Sequence, residues 1–417
     1  MAETFRAVTL DADKCKGCIN CMRKCPVQAI RVRNGKASID YDKCISCGNC
    51  IRSCPNRAIS ARYDSYDILN GYSYRVALLP SCMYGQFPHI YDAKLILNSL
   101  KNIGFDHVFE VARASDILSL LKRELFIMKD YKEAPVISNV CPACVELICS
   151  RYHSLADNLL DFLPPLGVAA KLAREEAREK SGLPDGDIGV FYLSPCPAKV
   201  SYVKNGFAGY KSQVDTVVSI NDIYFQLIAK MQPKADIKSL SNSGMIGIGW
   251  ASTGGEATAI FNESYLAADG IENVIRVLDQ VENGNIPPLE FIELNACSGG
   301  CVGGVMTMQN PFIAKARLQT LRRYLPVSQN FLSKEESYIP ESYIFNEIPT
   351  YHPISRLSDS MAESMRMMAD IQKLRDTLPG IDCGACGAPN CRAFAEDTVR
   401  NRSCGAKCPL YKEGDGK

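Results

Sequence analysis

The sequence predicts an α/β protein of several domains, with cysteine-rich modules at both ends of a large central domain. Three observations carry that prediction. A cysteine motif repeats within the first 62 residues, short apolar runs alternate with helical stretches between about residues 74 and 330, and a further cysteine run follows residue 378. The 417 residues suffice for two or three domains and at least one large core. With 47% hydrophobic and 22% charged residues, composition excludes a disordered or fibrous chain. A net charge of +1 leaves no global basic field for nucleic acid. No apolar run reaches the ~18–20 residues of a membrane span, and the first residues lack the apolar core of a signal peptide. A cytoplasmic setting, without membrane or nucleic acid, is therefore expected. In that setting 20 cysteines read as metal ligands or catalytic groups rather than as disulfides.

The N-terminal module spans residues 1–62. Asp11-Ala-Asp-Lys-Cys15-x2-Cys18-x2-Cys21-x3-Cys25-Pro26 recurs 29 residues later as Asp40-Tyr-Asp-Lys-Cys44-x2-Cys47-x2-Cys50-x3-Cys54-Pro55. Between the halves, Asn34-Gly35 flanked by short apolar runs signals a hairpin. The repeated run is that of bacterial ferredoxins, in which the fourth cysteine ligates the other cluster. One [4Fe–4S] cluster is thus assigned to Cys15, Cys18, Cys21 and Cys54, the second to Cys44, Cys47, Cys50 and Cys25. A zinc ion fits poorly, because each motif supplies four cysteines at a spacing that wraps a cubane. This module holds 12 Lys and Arg against 5 Asp and Glu, a formal +7. Two oxidised four-thiolate cubanes bring it only to about +3. The surplus either offsets cluster charge or forms a docking face for ferredoxin or another acidic redox partner.

From residue 74 to 330 the pattern changes. Arg75–Leu79, Val136–Ser138, Ile188–Leu193, Met245–Gly249 and Phe291–Leu294 read as buried strands, and stretches such as Ile117–Asp130 and Asp222–Met231 as helices. Such alternation implies largely parallel sheets. Four strands run into polar or cysteine-bearing turns: Pro80-Ser-Cys82, Val140-Cys-Pro, Ser194-Pro-Cys196 and Asn295-Ala-Cys297. Ligands gather at the carboxyl ends of strands in these folds, so the turns are expected to converge on one site.

Residues 331–378 read as a linker followed by a methionine-rich amphipathic helix. Ser358 or Asp359 can cap it, and Met361, Met365, Met368, Ile371, Leu374 and Leu378 share a face. That face suits core packing or a homodimer contact. Residues 379–412 then carry Cys383-x2-Cys386-x4-Cys391-x16-Cys408 behind Pro379-Gly380. This run resembles the small Rnf-type [4Fe–4S] domain of some anaerobic electron-transfer and corrinoid proteins, over about 35 residues. Cys404 rivals Cys408 as fourth ligand, but its spacing is short.

The central cysteines decide the function. Cys141, Cys196, Cys297 and Cys301 are separated by 55, 101 and 4 residues, which no local metal finger uses. They lie in Val-Cys141-Pro, Ser-Pro-Cys196-Pro-Ala-Lys199 and Glu293-Leu-Asn-Ala-Cys297-Ser-Gly-Gly-Cys301-Val-Gly-Gly. With Leu-Pro80-Ser81 and Thr253-Gly-Gly-Glu-Ala, these motifs resemble those of the [FeFe]-hydrogenase catalytic domain over about 250 residues. The resemblance implies a two-lobed α/β domain and the H-cluster. That cofactor is a [4Fe–4S] cubane on Cys141, Cys196, Cys297 and Cys301, with Cys301 bridging to a diiron unit bearing CO and CN⁻. It further implies that Lys199 and Ser81 donate to the cyanides, and that maturase proteins assemble the site. The residues themselves agree with such a site. Pro142 and Pro197 suit the first position of a helix, which would set each preceding sulfur near free N–H groups and a positive helix end.

The chain also departs from the family's active members. The familiar Thr-Ser-Cys-Cys-Pro-Gly-Trp reads here Ser138-Asn-Val140-Cys141-Pro-Ala-Cys144, so valine stands at the proton-relay position. Ser194 and Asn295 replace methionines, and the helix that should carry the relay glutamates reads Asp116-Ile-Leu-Ser-Leu-Leu-Lys-Arg-Glu124. These departures resemble the sensory, group D-like branch of the family. They imply a slow hydrogenase that senses H₂ or redox state and signals to a downstream protein. Cys144, three residues after Cys141, is a candidate substitute relay thiol; the plainer reading is a buried thiol filling the space of tryptophan. The competing function is a cubane-only iron–sulfur electron carrier or assembly factor without the diiron unit.

Overall fold

The computed structural model describes residues 4–88, 93–231, 241–331, 340–345, 347 and 357–410. The chain divides into two compact units, one of Met1–Ala61 with His352–Lys417 and the other of Arg62–Tyr351. Most of the expected linker before residue 357 lies outside the described residues.

In the terminal unit, β1 (Val8–Leu10) pairs antiparallel with β4 (Ile59–Ala61), and β2 (Ile30–Arg33) with β3 (Lys36–Ile39). Asn34 and Gly35 both take positive φ between β2 and β3, as a two-residue hairpin turn of the favoured twist requires. Two short helices, Asn20–Arg23 and Asn49–Ser53, occupy equivalent places in the two halves of the repeat. Val8, Met22, Ile30 and Ile59 fill a small core together with Cys15, Cys21, Cys44 and Cys50. A second core forms around Ile371, Leu378, Ala388 and Phe394, between helices Met361–Thr377 and Cys391–Val399.

The cap of the Met361–Thr377 helix is Ser360, one residue beyond the two candidates read from sequence. Its hydroxyl accepts from the Glu363 N–H, while Ser358 accepts from Ser360 N and donates to the Glu363 carboxylate, so Ser358 bridges the two halves of the cap. The apolar stripe is also split. Ile371 and Leu378 are buried, but Met361, Met365 and Met368 are exposed, so core packing explains only its C-terminal half.

The α/β unit holds two parallel sheets. The first has the order β6–β5–β8–β9, from His107–Glu110, Tyr74–Leu79, Ile188–Ser194 and Thr216–Ser219. The second has the order β10–β11–β7, from Tyr265–Asp269, Phe291–Asn295 and Val136–Ile137. All seven residues of β8 are buried, the run expected of a parallel strand covered on both faces. Helix Pro165–Ser181 packs on β8 and β5, and helix Val111–Met128 packs on that helix in turn.

Four of the five strands read from sequence are strands. The fifth, Met245–Gly249, is a short helix. The Asp116 carboxylate accepts from Gly244 N at 2.9 Å and Gly247 N at 2.7 Å, which satisfies the helix's free donors from a neighbouring element. A five-residue apolar run is ambiguous between strand and helix, and here a tertiary contact decides. Among the described residues no helix is long and apolar enough to cross a membrane.

Candidate metal centres and the central cavity

The Cys141 and Cys196 turns are built alike. Each cysteine is the N-cap of a helix, Pro142–Arg151 and Pro197–Asn205, with proline at the first helical position. The Cys141 carbonyl accepts the Cys144 N–H at 3.0 Å, and each cysteine stands at the open N-terminal end of its helix. A thiolate there meets free donors and the positive end of the helix dipole.

Their surroundings then separate the two sulfurs. The Cys144 thiol donates to Cys141 and, against the opposing effect of burial, holds it down at about 6; the N–H groups of Ala296 and Cys144 and the Lys199 ammonium act the same way. Burial pushes Cys196 up to about 12, with Lys199 opposing and the Cys301 thiolate adding to the rise.

Lys199 brings a cation among these sulfurs. Its Nζ lies 3.5 Å from Cys301 Sγ. Burial disfavours the ammonium, but the neighbouring Cys301, Tyr192, Cys196 and Cys82 outweigh it and hold Lys199 well above its ordinary range. Cys297 lies in the same loop as Cys301. Its carbonyl accepts from Gly300 N at 3.1 Å, and its neighbour Ala296 donates to Cys141. Gly300 sits at φ +87°, and a Cβ there would stand 2.7 Å from Thr253 N. Only glycine lets this loop lie against the Thr253 turn.

Beside these residues is a cavity with about 530 Å³ of empty space, part of it open to solvent. Ser81, Val140, Lys199, Trp250 and Cys301 are among the residues lining it. The strand-end turns therefore do converge. A buried cation set among clustered cysteines, helix N-termini under two of the sulfurs and a glycine-permitted loop beneath a third fit an anionic cluster with a further group beside Cys301. Ser81 is at the cavity wall, but its hydroxyl donates to Gly247 O at 3.3 Å. Cys144 is fully buried and turned to Cys141, and is not among the cavity-lining residues.

Sequence reasoning missed two residues here. Cys82, left unassigned, is buried in the cavity wall, where its thiol feels Cys301, Lys199 and Cys196. Tyr192 lines the same wall and feels the same charges. The signal for Cys82 was its place directly after Pro80-Ser81 at the end of β5. For Tyr192 there was none, because a tyrosine in an apolar strand reads as core.

Also unforeseen was a buried polar network beneath the Cys141 loop. Lys122, where a relay glutamate was sought, pairs with Glu256, and its ammonium lies 4.8 Å from the Trp250 ring centroid. Glu256 accepts from Ser138 Oγ at 2.6 Å, and Ser138 Oγ accepts from Val140 N at 3.3 Å. Glu293 accepts from Gly254 N, Ala257 N and Asn295 Nδ2 at 2.8–3.0 Å. Burial, and then the Glu256 carboxylate, push Glu293 up to about 7.

In the terminal unit, Cys21 feels Cys54, Cys15 and Cys18, whereas Cys47 feels Cys25, Cys50 and Cys44. Each group takes cysteines from both halves of the repeat. Burial raises the Cys21, Cys47 and Cys50 thiols, and Cys25 to about 11. Backbone N–H groups answer that cost symmetrically. Ala29 N donates to Cys25 Sγ and Ala58 N to Cys54 Sγ, both at 3.2 Å, at equivalent places in the repeat. Ala37 N and Ser46 N donate to Cys15 and Cys44 at 3.3 and 3.4 Å. Such donors suit thiolates on a cluster. Among the described residues no group of three or more Cys, His, Asp or Glu closes on a single metal ion, a smaller body than a cubane. Farther along, Cys386 feels Cys408 and Cys383, and Cys391 and Cys408 pack on the same small core. Cys404 is exposed, at φ +51°.

Comparison with known proteins agrees with this architecture. Residues 83–266 and 255–305 match the family described as the iron only hydrogenase large subunit, C-terminal domain, which takes in more than half of the chain. The chain belongs to that family. Residues 7–55 match the 4Fe-4S dicluster domain and 378–410 an Fe-S cluster family, so the protein is a hydrogenase-like oxidoreductase with iron–sulfur modules at both ends. Among solved structures it is similar to the [FeFe]-hydrogenase HydA(deltaEFG), at 14% identity over 61% of this chain and 86% of that one, with a TM-score of 0.47. It is also similar to a variant of HydA1 from Chlamydomonas reinhardtii, at 15% identity over 64% and 86%, with a TM-score of 0.45.

Proposed function

We propose that this protein is a slow [FeFe]-hydrogenase of the sensory type, with an H-cluster held in the α/β unit and three further [4Fe–4S] clusters in the terminal unit. The observation that carries the reading is the Lys199 ammonium 3.5 Å from Cys301 Sγ, beside a cavity at the ends of the strands. When bound, the H-cluster supplies reversible conversion of H₂ to protons and electrons.

Cys141, Cys196, Cys297 and Cys301 would hold it, Cys301 as the bridging thiolate. Lys199 would donate to an anionic ligand, as a compact charge that a neutral donor could not match. Ser81 can serve as a second donor only by leaving Gly247 O. Val140, in the cavity wall, neither gives nor takes a proton, and loss of a positioned acid–base group typically lowers rate by about 10²–10⁴-fold. A slow, sensor-like rate follows. Cys15, Cys18, Cys21 and Cys54, then Cys44, Cys47, Cys50 and Cys25, and Cys383, Cys386, Cys391 and Cys408 would hold the three further clusters, which would supply one-electron chemistry for ferredoxin or a signalling partner.

Infrared spectroscopy of protein coexpressed with the maturases tests this. CO and CN⁻ stretches are expected. Their absence from protein that carries its full cubane iron would leave the cubane-only electron carrier.

A further inference from the structure

The terminal unit joins parts of the chain that are far apart in sequence, and it does so through charge. Asp397, buried on the Cys391–Val399 helix, accepts from Arg31 Nε at 2.6 Å and Arg31 Nη2 at 3.0 Å, across 366 residues of sequence. Arg33 pairs with the same carboxylate and also donates to Arg402 O. Lys43 Nζ lies 3.4 Å from Glu396. Three cations of the basic N-terminal module are thereby committed to the chain's own acidic helix. A bidentate, largely desolvated Arg–Asp pair is the kind of contact that fixes orientation as well as adding energy.

The backbone continues the contact into the cysteine loops. Val32 N, on β2, donates to Gly387 O at 3.0 Å. Gly387 is at φ +80°, and a Cβ there would overlap Val32 O, so the residue after Cys386 must be glycine for the loop to reach the strand. Arg23, two residues after Cys21, donates through Nη2 to the carbonyl of Cys383 itself at 2.8 Å. Met22 Cε lies 3.0 Å from where a Cβ on Gly384 would stand. The loop of Cys383 and Cys386 thus rests on the loop of Cys18 and Cys21. The other N-terminal cysteine set comes next in line, for Cys21 and Cys50 are buried in the same small core.

We propose that the C-terminal domain is a built-in redox partner, exchanging electrons directly with the cluster on Cys15, Cys18, Cys21 and Cys54. One electron leaves the reduced cluster and enters the oxidised one, with no bond made or broken. It comes first from a low-potential one-electron donor. The acidic helix occupies part of the basic face that a soluble acidic carrier would otherwise meet, so the relay runs from the C-terminal cluster to the first N-terminal cluster and then to the second. This rests on reading these cysteine sets as cluster sites and is independent of the diiron unit.

The test uses the full chain reconstituted with iron and sulfide and reduced by a titanium(III) donor. The electron paramagnetic resonance of the C-terminal cluster should be broadened or split by its neighbour, and should sharpen in Cys18→Ser, which removes that neighbour. Asp397→Lys keeps every cysteine but sets a cation against Arg31 and Arg33. It should sharpen the same resonance with iron content unchanged. A resonance equally sharp in wild type and both variants overturns the proposal, as does a coupling that survives Asp397→Lys. Iron content separates this failure from that of the cluster reading: Cys383→Ser should lose about four iron atoms per chain. No loss would remove the C-terminal cluster and the proposal with it.

Discussion

The terminal and the α/β units solve the same problem, holding thiolates inside a protein, in opposite ways. In the terminal unit each N-terminal set draws three ligands from one short loop, and backbone N–H groups of the same motif meet the sulfurs, as Ala29 does for Cys25. In the α/β unit the cysteines come from the ends of different strands, and a side-chain cation, Lys199, lies 3.5 Å from one of their sulfurs. The first kind of site tolerates loss of any one distant contact. The second depends on buried charges far along the chain, and its predicted weaknesses follow from that difference.

The largest effect is expected at Lys122, 1% exposed and paired with Glu256, which in turn holds the Ser138 turn before Cys141. Removing one partner of a buried pair typically costs about 3–5 kcal/mol. Lys122→Met should lower the stability of the α/β unit by that order in denaturant unfolding and leave the terminal cubane spectra unchanged. Lys204→Ala breaks a more open pair with Asp64 and should cost at most about 1 kcal/mol. Equal losses from the two variants would mean that the buried network does not support the Cys141 loop.

Lys199→Ala comes next. Removing a preorganised donor from a catalytic site typically lowers turnover by about 10²–10³-fold. H₂ oxidation should fall by that factor with the CO and CN⁻ bands shifted or lost, and with the iron of the terminal unit retained. Unchanged turnover would sink the role given to this lysine and, with it, much of the contrast between the units.

A smaller effect belongs to pH. Glu293 is raised from 4.5 to about 7, so between those values the folded chain keeps a proton that the unfolded chain has released. Its contribution to stability therefore falls as pH rises through that window, by at most about 1.4 kcal/mol per unit, and is level on either side. Unfolding free energies of wild type and Glu293→Gln at pH 5, 6 and 7 should diverge in slope, the variant being flatter. Parallel slopes would place the proton elsewhere in the network.

The same contrast explains what could be read beforehand. Ligand spacing in the terminal unit is a property of neighbouring residues, so both N-terminal sets and the Asn34-Gly35 hairpin were plain from sequence. The strand-end turns were visible as well, since a buried parallel strand such as β8 announces itself and its last residues point to the site. What was hidden needed topology. Met245–Gly249 became a helix because Asp116 reached it, and Cys82 had no spacing partner to mark it. The basic surplus of the N-terminal module read either as an offset to cluster charge or as a docking face for an acidic partner. Three of its cations, Arg31, Arg33 and Lys43, pair with Asp397 and Glu396, while Lys16 and Arg57 are exposed.

The smallest effect is expected at Cys144, and it sharpens the comparison most because here a side-chain thiol acts on a sulfur, where the terminal unit uses backbone N–H groups. The thiol is fully buried and gives its proton to Cys141. A hydrogen bond to a cluster thiolate stabilises the more negative, reduced state and so raises the potential. Removing one worth about 1.4 kcal/mol amounts to ~59 mV for a one-electron couple. Cys144→Ala should therefore lower the potential of the central cubane by some tens of millivolts in a redox titration, and Cys144→Ser should restore most of it. Turnover should change no more than the shifted potential requires, because the thiol faces Cys141. The opposite pattern, an unmoved potential with turnover down about 10-fold and infrared bands intact, would restore Cys144 as a proton relay in place of Val140.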